Sequence, residues 1–185
     1  HLFGFKSVKQ KFSTGHWLKM TVKKIEKIWK NGRTPIVVGG TGLYFKALTD
    51  GLVKIPDISN KMRTEIRKLH KKIGQRKFFI KLIKLDPLSK RFVSPSDTQR
   101  SMRAYEVKKF TDKSMFEFTK ETKSNFNNST FKKLFINIPR GLLHKKIEKR
   151  VEKMFNDGAV EEVKKFYKMK VNKELSSNKI IGIKE

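Results

Sequence analysis

Residues 34–44 read Thr34-Pro35-Ile36-Val37-Val38-Gly39-Gly40-Thr41-Gly42-Leu43-Tyr44. The apolar, β-branched run at 34–38 predicts a buried parallel strand, because such strands are covered on both faces. The glycines that follow let the backbone pass close to a ligand, and a helix is predicted from about Leu43. Thr41 would then project its hydroxyl at the carboxyl end of the strand, where open α/β sheets bind ligands. The alternative is a tight turn in which Thr41 only caps the helix.

Around this segment, apolar residues recur at helical spacing. A helix is predicted to begin at Ser13 or Thr14 and to end at Asn31-Gly32, so that helix, strand and helix follow one another as in α/β proteins. A second strand is predicted at 131–138, with no strand signal between 57 and 128. The further predicted helices lie at about 59–73, 76–84, 96–110, 113–120, 140–156 and 159–169.

The order of these elements predicts a helical insertion in an α/β protein. Segment 1–56 would form the first part of the α/β core, 57–128 an inserted all-helical domain, and 129–185 the second part of the core. An insertion is the simplest arrangement that places helices alone between two α/β segments.

The charge of the chain favours a polyanionic partner. Its 45 Lys and Arg against 17 Asp and Glu give a net charge of +28, and each phosphate that such a surface neutralises releases a counterion. A bias toward AT-rich codons is an alternative source of the lysines.

The chain has no cysteine, which excludes disulfides and Cys-ligated metals. With no metal-ligand histidine spacing and no apolar run of about 20 residues, we predict no metal site on this chain and no membrane span. The lack of cysteine is consistent with a reducing cytoplasm but does not demand one; we expect a cytoplasmic protein and a monomer.

A second motif, at 94–107, carries side chains that suit RNA. Asp97 or Ser96 is predicted to cap a helix on which Gln99 and Arg103 share a face, with Arg100 beside them. One amide and two guanidinium groups near a helix start can hydrogen-bond bases and phosphates. The alternative is an amphipathic helix whose arginines only pair with its acidic residues.

A third motif, at 139–155, places an arginine among apolar residues. Leu143, Ile147, Arg150 and Met154 follow helical spacing. Arg150 is therefore predicted to lie near a buried stripe, where an unpaired charge is costly. A ligand phosphate and a structural carboxylate are both open as its partner.

These motifs, in this order, resemble the tRNA dimethylallyltransferase (IPP transferase) family over nearly the whole chain. The resemblance implies a P-loop NTPase-like parallel-sheet core with an inserted all-helical domain, which together hold a tRNA anticodon stem-loop. It further implies an enzyme that transfers a dimethylallyl group from dimethylallyl diphosphate to N6 of the adenosine 3′-adjacent to the anticodon (position 37), with Mg²⁺. The matching segments are 32–44, 85–87, 97–107 and 139–155.

The resemblance assigns roles to individual residues. Thr41 and Arg150 would be catalytic: Thr41 beside the flipped adenine, and Arg150 toward the diphosphate or the reacting centre. Gly39, Gly40 and Gly42 would line the substrate channel. In the stretch 179–184, which resembles a further tRNA-contacting segment, Lys179 and Ile183 replace the Arg and Tyr that the family typically has, so this stretch departs from the family pattern. Contacts to tRNA are implied for Thr41, Arg63, Gln99, Arg100, Ser101, Met102, Arg103, Lys179, Gly182 and Lys184.

Two pieces of the family pattern do not occur in this sequence. One is the phosphate loop, Gly-Pro-Thr-x-x-Gly-Lys-Thr/Ser; the other is Asp-Ser-x-Gln-x-Tyr, whose Asp resembles the general base. We expect both to precede His1 and to carry most of the Mg²⁺ ligands, and we expect both ends of the chain to be cut. The chain alone is then expected to be inactive. A non-catalytic basic RNA-binding module is the main alternative, and a P-loop kinase is disfavoured by the lack of a kinase-like lid.

Overall fold

The computed structural model describes residues 1–173 and 175–183. The chain forms two compact units, one made of His1–Tyr44 with Asn128–Glu185 and the other of Phe45–Asn127. The division predicted from the sequence, into 1–56, 57–128 and 129–185, stays a prediction about the complete fold.

Regular structure in the described residues is helical. Three short 3₁₀ helices lie among the α-helices, at Pro87–Arg91, Asn128–Thr130 and Ser176–Lys179. The α-helices of the described part of the chain are α1 (Thr14–Lys30), α2 (Gly42–Thr49), α3 (Asn60–Leu85), α4 (Thr98–Thr111), α5 (Met115–Lys120), α6 (Arg140–Asn156) and α7 (Ala159–Lys168). The helices predicted from periodicity are therefore confirmed, most of them to within a few residues.

Helix α1 begins and ends where its sequence signals place it. The Ser13 hydroxyl accepts a hydrogen bond from the backbone N–H of His16 at 3.2 Å, which satisfies one of the donors that every helix start leaves unpaired. At the other end, Gly32 adopts a φ of 68°, a conformation that glycine reaches without strain. The predicted N-cap and the predicted stop are both confirmed.

The core of the second unit lies between α3 and α4. It is a cluster of Ile66, Phe78, Leu82, Ala104 and Tyr105, each at most 5% exposed. The rings of Phe78 and Tyr105 lie 5.1 Å apart with a tilt of 48°. Each large apolar side chain buried in this way contributes about 1.5–3 kcal/mol, so this cluster fixes α4 on α3.

A break at Gly74 divides α3 into two helical parts. Gly74 has φ 75° and ψ 165°, a region that is almost restricted to glycine. The separate helices predicted at 59–73 and 76–84 are these two parts. The break changes the direction of the chain and brings Gln75, the next residue, toward the start of α4.

A buried acidic residue joins the 3₁₀ helix Pro87–Arg91 to the start of α5. Asp86 is 2% exposed. Its Oδ2 accepts hydrogen bonds from the hydroxyls of Ser89 at 2.7 Å and Ser114 at 2.8 Å. Ser114 is also the N-cap of α5, in a capping box with Glu117. The bond between Asp86 and Ser114 thus joins residues that are 28 positions apart in the chain.

The strands predicted at 34–38 and 131–138 are not present in the described part of the chain. Both segments lack regular secondary structure, and the α/β core is not formed by the described residues. A strand needs the hydrogen bonds of a neighbouring strand, and none is assigned in residues 1–173 and 175–183. The apolar side chains that a sheet would cover instead face solvent, with Ile36 83%, Val38 76% and Leu134 94% exposed.

No helix within residues 1–173 and 175–183 combines the length and the apolar content that crossing a membrane requires.

Candidate nucleic-acid interface

The start of α4 is held by Asp97. Its Oδ1 accepts the backbone N–H of Arg100 at 2.9 Å, which is the N-cap bond predicted from the sequence. Its Oδ2 lies 3.3 Å from the Arg100 guanidinium. One carboxylate therefore caps the backbone of the first turn and pairs with the guanidinium of an exposed arginine.

The first turns of α4 present two polar side chains to solvent. Gln99 is exposed, and the Arg100 side chain is 68% exposed. The pair between Arg100 and Asp97 lies at the surface, where such pairs contribute about 0–1 kcal/mol. Arg100 can therefore exchange Asp97 for a phosphate or a base at little cost, while Asp97 still caps the helix through the backbone.

Arg103 is in a different position. Its side chain is 37% exposed, and its guanidinium lies 3.4 Å from Oε2 of Glu106, whose side chain is 8% exposed. Removing Arg103 would leave the largely buried carboxylate of Glu106 without its counter-charge. Arg103 therefore has a structural function as well as any contact with RNA, and the structure contains both arginine–carboxylate pairs that the alternative interpretation of this helix required.

Two residues of this turn face the protein interior. Ser101 is fully buried, and its hydroxyl accepts a hydrogen bond from Nε2 of Gln75 at 3.1 Å. Met102 is half-buried and packs against the core cluster. A side chain in the position of Ser101 meets RNA only if the unit opens, so its predicted contact needs correction: the structure gives Ser101 a role in holding α4.

Arg63, in the first turn of α3, carries a buried donor without a partner. Its Nε has no hydrogen-bond acceptor among the described residues. An unpaired buried donor costs about 1–3 kcal/mol, which an incoming acceptor would recover. Arg63 lies beside Met62, which packs against the same core cluster as α4.

In the other unit, Thr41 lies at the surface. Gly39, Gly40, Thr41 and Gly42 are all exposed, and α2 begins directly after Thr41. The Thr41 carbonyl accepts the N–H of Tyr44 at 3.0 Å. Its hydroxyl has no hydrogen bond within residues 1–173 and 175–183, so the N-cap alternative is not realised there. That Thr41 lines a substrate channel stays a prediction.

Two aromatic rings fix the start of α2. Trp17 of α1 and Tyr44 stack with their centroids 4.4 Å apart and an angle of 11° between the rings. Offset stacking of this kind contributes about 0.5–1.5 kcal/mol beyond the buried area. The turn that carries Thr41 is therefore attached to a rigid helix.

Helix α6 corrects the prediction for Arg150. No residue of α6 is buried, and the apolar stripe is open, with Leu143 40%, Ile147 48% and Met154 46% exposed. Arg150 is itself exposed and not beside a buried surface. The spacing correctly predicts an amphipathic helix, but nothing within the described chain covers its apolar face.

The last predicted tRNA contacts lie near the end of the described chain. Lys179 is the last residue of the 3₁₀ helix Ser176–Lys179. Gly182 has a φ of 94°, and the Tyr167 hydroxyl donates to the carbonyl of Ile183 at 2.6 Å. Lys184 lies outside the described residues. The tRNA contacts of this stretch stay predictions.

Two residues that connect elements of the second unit, Gln75 and Asp86, were not predicted from the sequence. Gln75 follows a glycine that interrupts a helical pattern, and Asp86 precedes a proline. Both signals indicate a turn, but neither indicates which residue the side chain will bond.

Burial raises the pKa of the Tyr105 phenol above its ordinary value. In the part of the chain that is described, no three His, Cys, Asp or Glu side chains come together as metal ligands.

Comparison with known proteins assigns the chain to a family. A family model described as IPP transferase matches residues 1–185. The tRNA dimethylallyltransferase of Pelagibacter ubique (strain HTCC1062) is 54% identical over 185 residues, covering 100% of this chain and 59% of that protein. The tRNA dimethylallyltransferase of Rickettsia massiliae (strain Mtu5) is 41% identical over 186 residues, covering 100% of this chain and 51% of that protein. The chain thus spans between half and three-fifths of the length of these curated relatives.

Two solved structures resemble the chain. The full-length tRNA isopentenylpyrophosphate transferase of Bacillus halodurans is 28% identical, with a TM-score of 0.54, over 100% of this chain and 56% of that one. A eukaryotic dimethylallyltransferase solved in the course of acting on tRNA is 24% identical, with a TM-score of 0.69, over 95% of this chain and 43% of that one. At that identity the second likeness speaks for the fold alone.

Proposed function

The chain belongs to the IPP transferase family, and from this premise we propose that the complete protein is a tRNA dimethylallyltransferase. It transfers a dimethylallyl group from dimethylallyl diphosphate to N6 of the adenosine 3′-adjacent to the anticodon, position 37. This chain supplies the helical surface that holds the anticodon stem-loop and part of the channel in which the adenine reacts.

The observation that carries the proposal is the first turn of α4. There an exposed amide, Gln99, and an exposed guanidinium, Arg100, are fixed on a capped helix by Asp97. Together they can contact phosphates or base edges. The chain's net charge of +28 supplies attraction that does not depend on sequence, whereas these two side chains extend from fixed backbone positions on a capped helix.

We further propose that 34–38 and 131–138 are strands of a parallel, P-loop-type sheet in the complete protein. Ile36, Val38 and Leu134 are 76–94% exposed, and the stripe of α6 is open as well. Isolated apolar runs of this kind are costly in water. Pairing with further strands would satisfy their backbone groups and cover their side chains, and relatives nearly twice as long as this chain have room for such strands.

In the proposed reaction, the adenine is extruded from the loop because its N6 cannot be reached while it is stacked. The N6 amine attacks the allylic carbon, a C–N bond forms, the C–O bond to the diphosphate breaks, and pyrophosphate leaves as N6 loses a proton. Thr41 would contact the base, and Arg150 would meet the charge of the diphosphate. Mg²⁺ would balance further charge, but the described residues do not offer a ligand set for it.

Binding of a synthetic anticodon stem-loop RNA to the 185-residue chain tests the RNA-binding part. Arg100→Ala should weaken binding by about 1–3 kcal/mol. Lys109→Ala removes the same charge from an exposed position near the other end of α4. It should change the Kd less than about twofold in 0.15 M salt, since charges beyond about 8 Å are screened. If both variants lose the same RNA affinity, Arg100 makes no specific contact, and binding depends only on the overall positive charge.

Prenyl transfer is tested in the complete protein with labelled dimethylallyl diphosphate and substrate tRNA. Thr41→Ala should lower kcat/KM while the Kd for tRNA changes little, because one hydroxyl contributes little to a large interface. A complete protein that binds tRNA and transfers nothing would support the non-catalytic RNA-binding alternative. The 185-residue chain alone is expected to bind without transfer, since its sequence contains no phosphate loop.

A further inference from the structure

The side-chain amide of Gln75 makes three hydrogen bonds where α3 meets the start of α4. Its Nε2 donates to the carbonyl of Pro95 at 2.7 Å and to the hydroxyl of Ser101 at 3.1 Å. Its Oε1 lies 3.0 Å from Nε2 of His70. With both amide hydrogens donated, the oxygen is the acceptor, so His70 carries a proton on Nε2.

These three bonds connect three parts of the second unit. His70 lies before the break at Gly74 and Gln75 after it, so the bond to His70 ties the two parts of α3 together. Pro95 lies in the segment that leads into α4, and Ser101 lies in the first turns of α4, with no exposed surface. Gln75 therefore fixes the break in α3 and the beginning of α4 in one arrangement.

The surroundings of this amide make the arrangement hard to replace. His70 packs edge-on against Phe78, with centroids 5.1 Å apart, and Phe78 is fully buried. The histidine is thus held by the core and not by solvent. Ser101 has no access to water that could take the place of Gln75.

We propose that Gln75 is a positioning residue for RNA recognition, which orients Gln99 and Arg100 by fixing the first turns of α4. Ser101 is separated from Arg100 by one peptide bond, so any displacement of Ser101 displaces the guanidinium. This role rests on the function proposed above, because it takes the start of α4 as an RNA-contacting surface. It assigns no contact between Gln75 and RNA.

A double-mutant cycle separates positioning from a general loss of stability. Gln75→Met keeps the volume of the side chain and removes all three hydrogen bonds. It should raise the Kd of the 185-residue chain for an anticodon stem-loop RNA by roughly tenfold. In a Gln99→Ala/Arg100→Ala background the same change should raise the Kd by about twofold or less, because the groups that Gln75 orients are gone.

Two further variants keep the test decisive. Ser101→Ala removes a single acceptor with little change in volume, and should show the same dependence on Gln99 and Arg100 with a smaller effect. Ser114→Ala weakens the separate buried network at Asp86. Its effect on RNA affinity should be additive with Gln99→Ala/Arg100→Ala to within about a factor of two. All measurements are made at a temperature where circular dichroism shows each variant folded.

The outcomes distinguish this role from the proposed function. A wild-type chain that binds no stem-loop RNA overturns the proposed function and the positioning role with it. Wild-type binding with an additive cycle for Gln75→Met overturns the positioning role alone. Faster hydrogen exchange at the amides of 98–102 in Gln75→Met, together with the non-additive cycle, supports it.

Discussion

Replacing Asp86 by alanine should destabilise the second unit more than any exposed substitution in it. The carboxyl group is 2% exposed, and its Oδ2 accepts the hydroxyls of Ser89, 0% exposed, and Ser114, 3% exposed. In Asp86→Ala both hydroxyls lose their acceptor in a place that water does not reach, and the 3₁₀ helix Pro87–Arg91 is no longer tied to the start of α5.

The size of the effect follows from the bonds. A hydrogen bond to a charged group contributes about 1.5–3 kcal/mol net, which for two bonds gives about 3–6 kcal/mol. Both bonds share one oxygen, so their losses are not independent, and we expect about 3–5 kcal/mol. Domain stabilities of about 5–15 kcal/mol make this a large part of the total. Asp86→Asn keeps an acceptor oxygen and removes the charge, and should cost about 2 kcal/mol.

Urea unfolding followed by circular dichroism at 222 nm measures these costs as shifts of the midpoint at constant slope. Asp57→Ala is the matched control, since Asp57 is an exposed aspartate of the same unit, and it should stay within about 0.5 kcal/mol of wild type. The double variant Ser89→Ala/Ser114→Ala should lose less unfolding free energy than the sum of the losses in the two single variants, because both hydroxyls bond the same oxygen of Asp86. A loss below about 1 kcal/mol in Asp86→Ala would refute the reasoning.

Two further predictions concern the same unit. Burial raises the pKa of Tyr105, so stability is unaffected below the ordinary tyrosine pKa of about 10 and falls as pH rises toward the folded value, because the unfolded state ionises first. Urea unfolding at pH 8 and at pH 10.5 should show a smaller decrease in the free energy of unfolding for Tyr105→Phe than for wild type. An equal decrease in the two proteins would contradict this prediction. Gly74→Ala should cost about 1–3 kcal/mol from the backbone alone, since a Cβ there meets nothing within 4 Å. Gly141→Ala, at a helical glycine with the same open space, should be neutral or stabilising by up to about 1 kcal/mol; equal effects would show that the conformation of Gly74 carries no strain.

Much of the helical structure could be predicted because its signals are local. Ser13 and Asp97 cap the helices that they were predicted to cap, and Gly32 and Gly74 interrupt the chain where a positive φ is needed. Capping and glycine conformations depend on a few neighbouring residues. A single sequence contains those neighbouring residues, so helix caps and glycine breaks can be predicted from it.

The failures have a different physical origin. A strand at 34–38 and a buried stripe around Arg150 each require a partner surface. Apolar spacing predicts that a segment can be buried, but it does not show whether the surface that would bury it is present. The positions of Ser101 and Asp86 were missed for a related reason. Their partners, Gln75 and Ser114, lie 26 and 28 residues away, and no local pattern connects them.

The same distinction bears on how a chain with a net charge of +28 would recognise one RNA among many. Lysines on exposed helix faces increase affinity for any phosphate backbone, and that contribution falls steeply with salt. Selectivity requires a few groups whose positions are fixed, because only a fixed donor distinguishes one base edge or backbone geometry from another. In the second unit that requirement is met by neutral and acidic residues: Asp97 caps α4 beneath Arg100, and Gln75 holds Ser101 beside it. Changes at Gln75 should therefore lower affinity through the groups that it orients and reduce the salt dependence by at most about the single charge of Arg100, whereas loss of several lysines should mainly reduce the dependence of binding on salt.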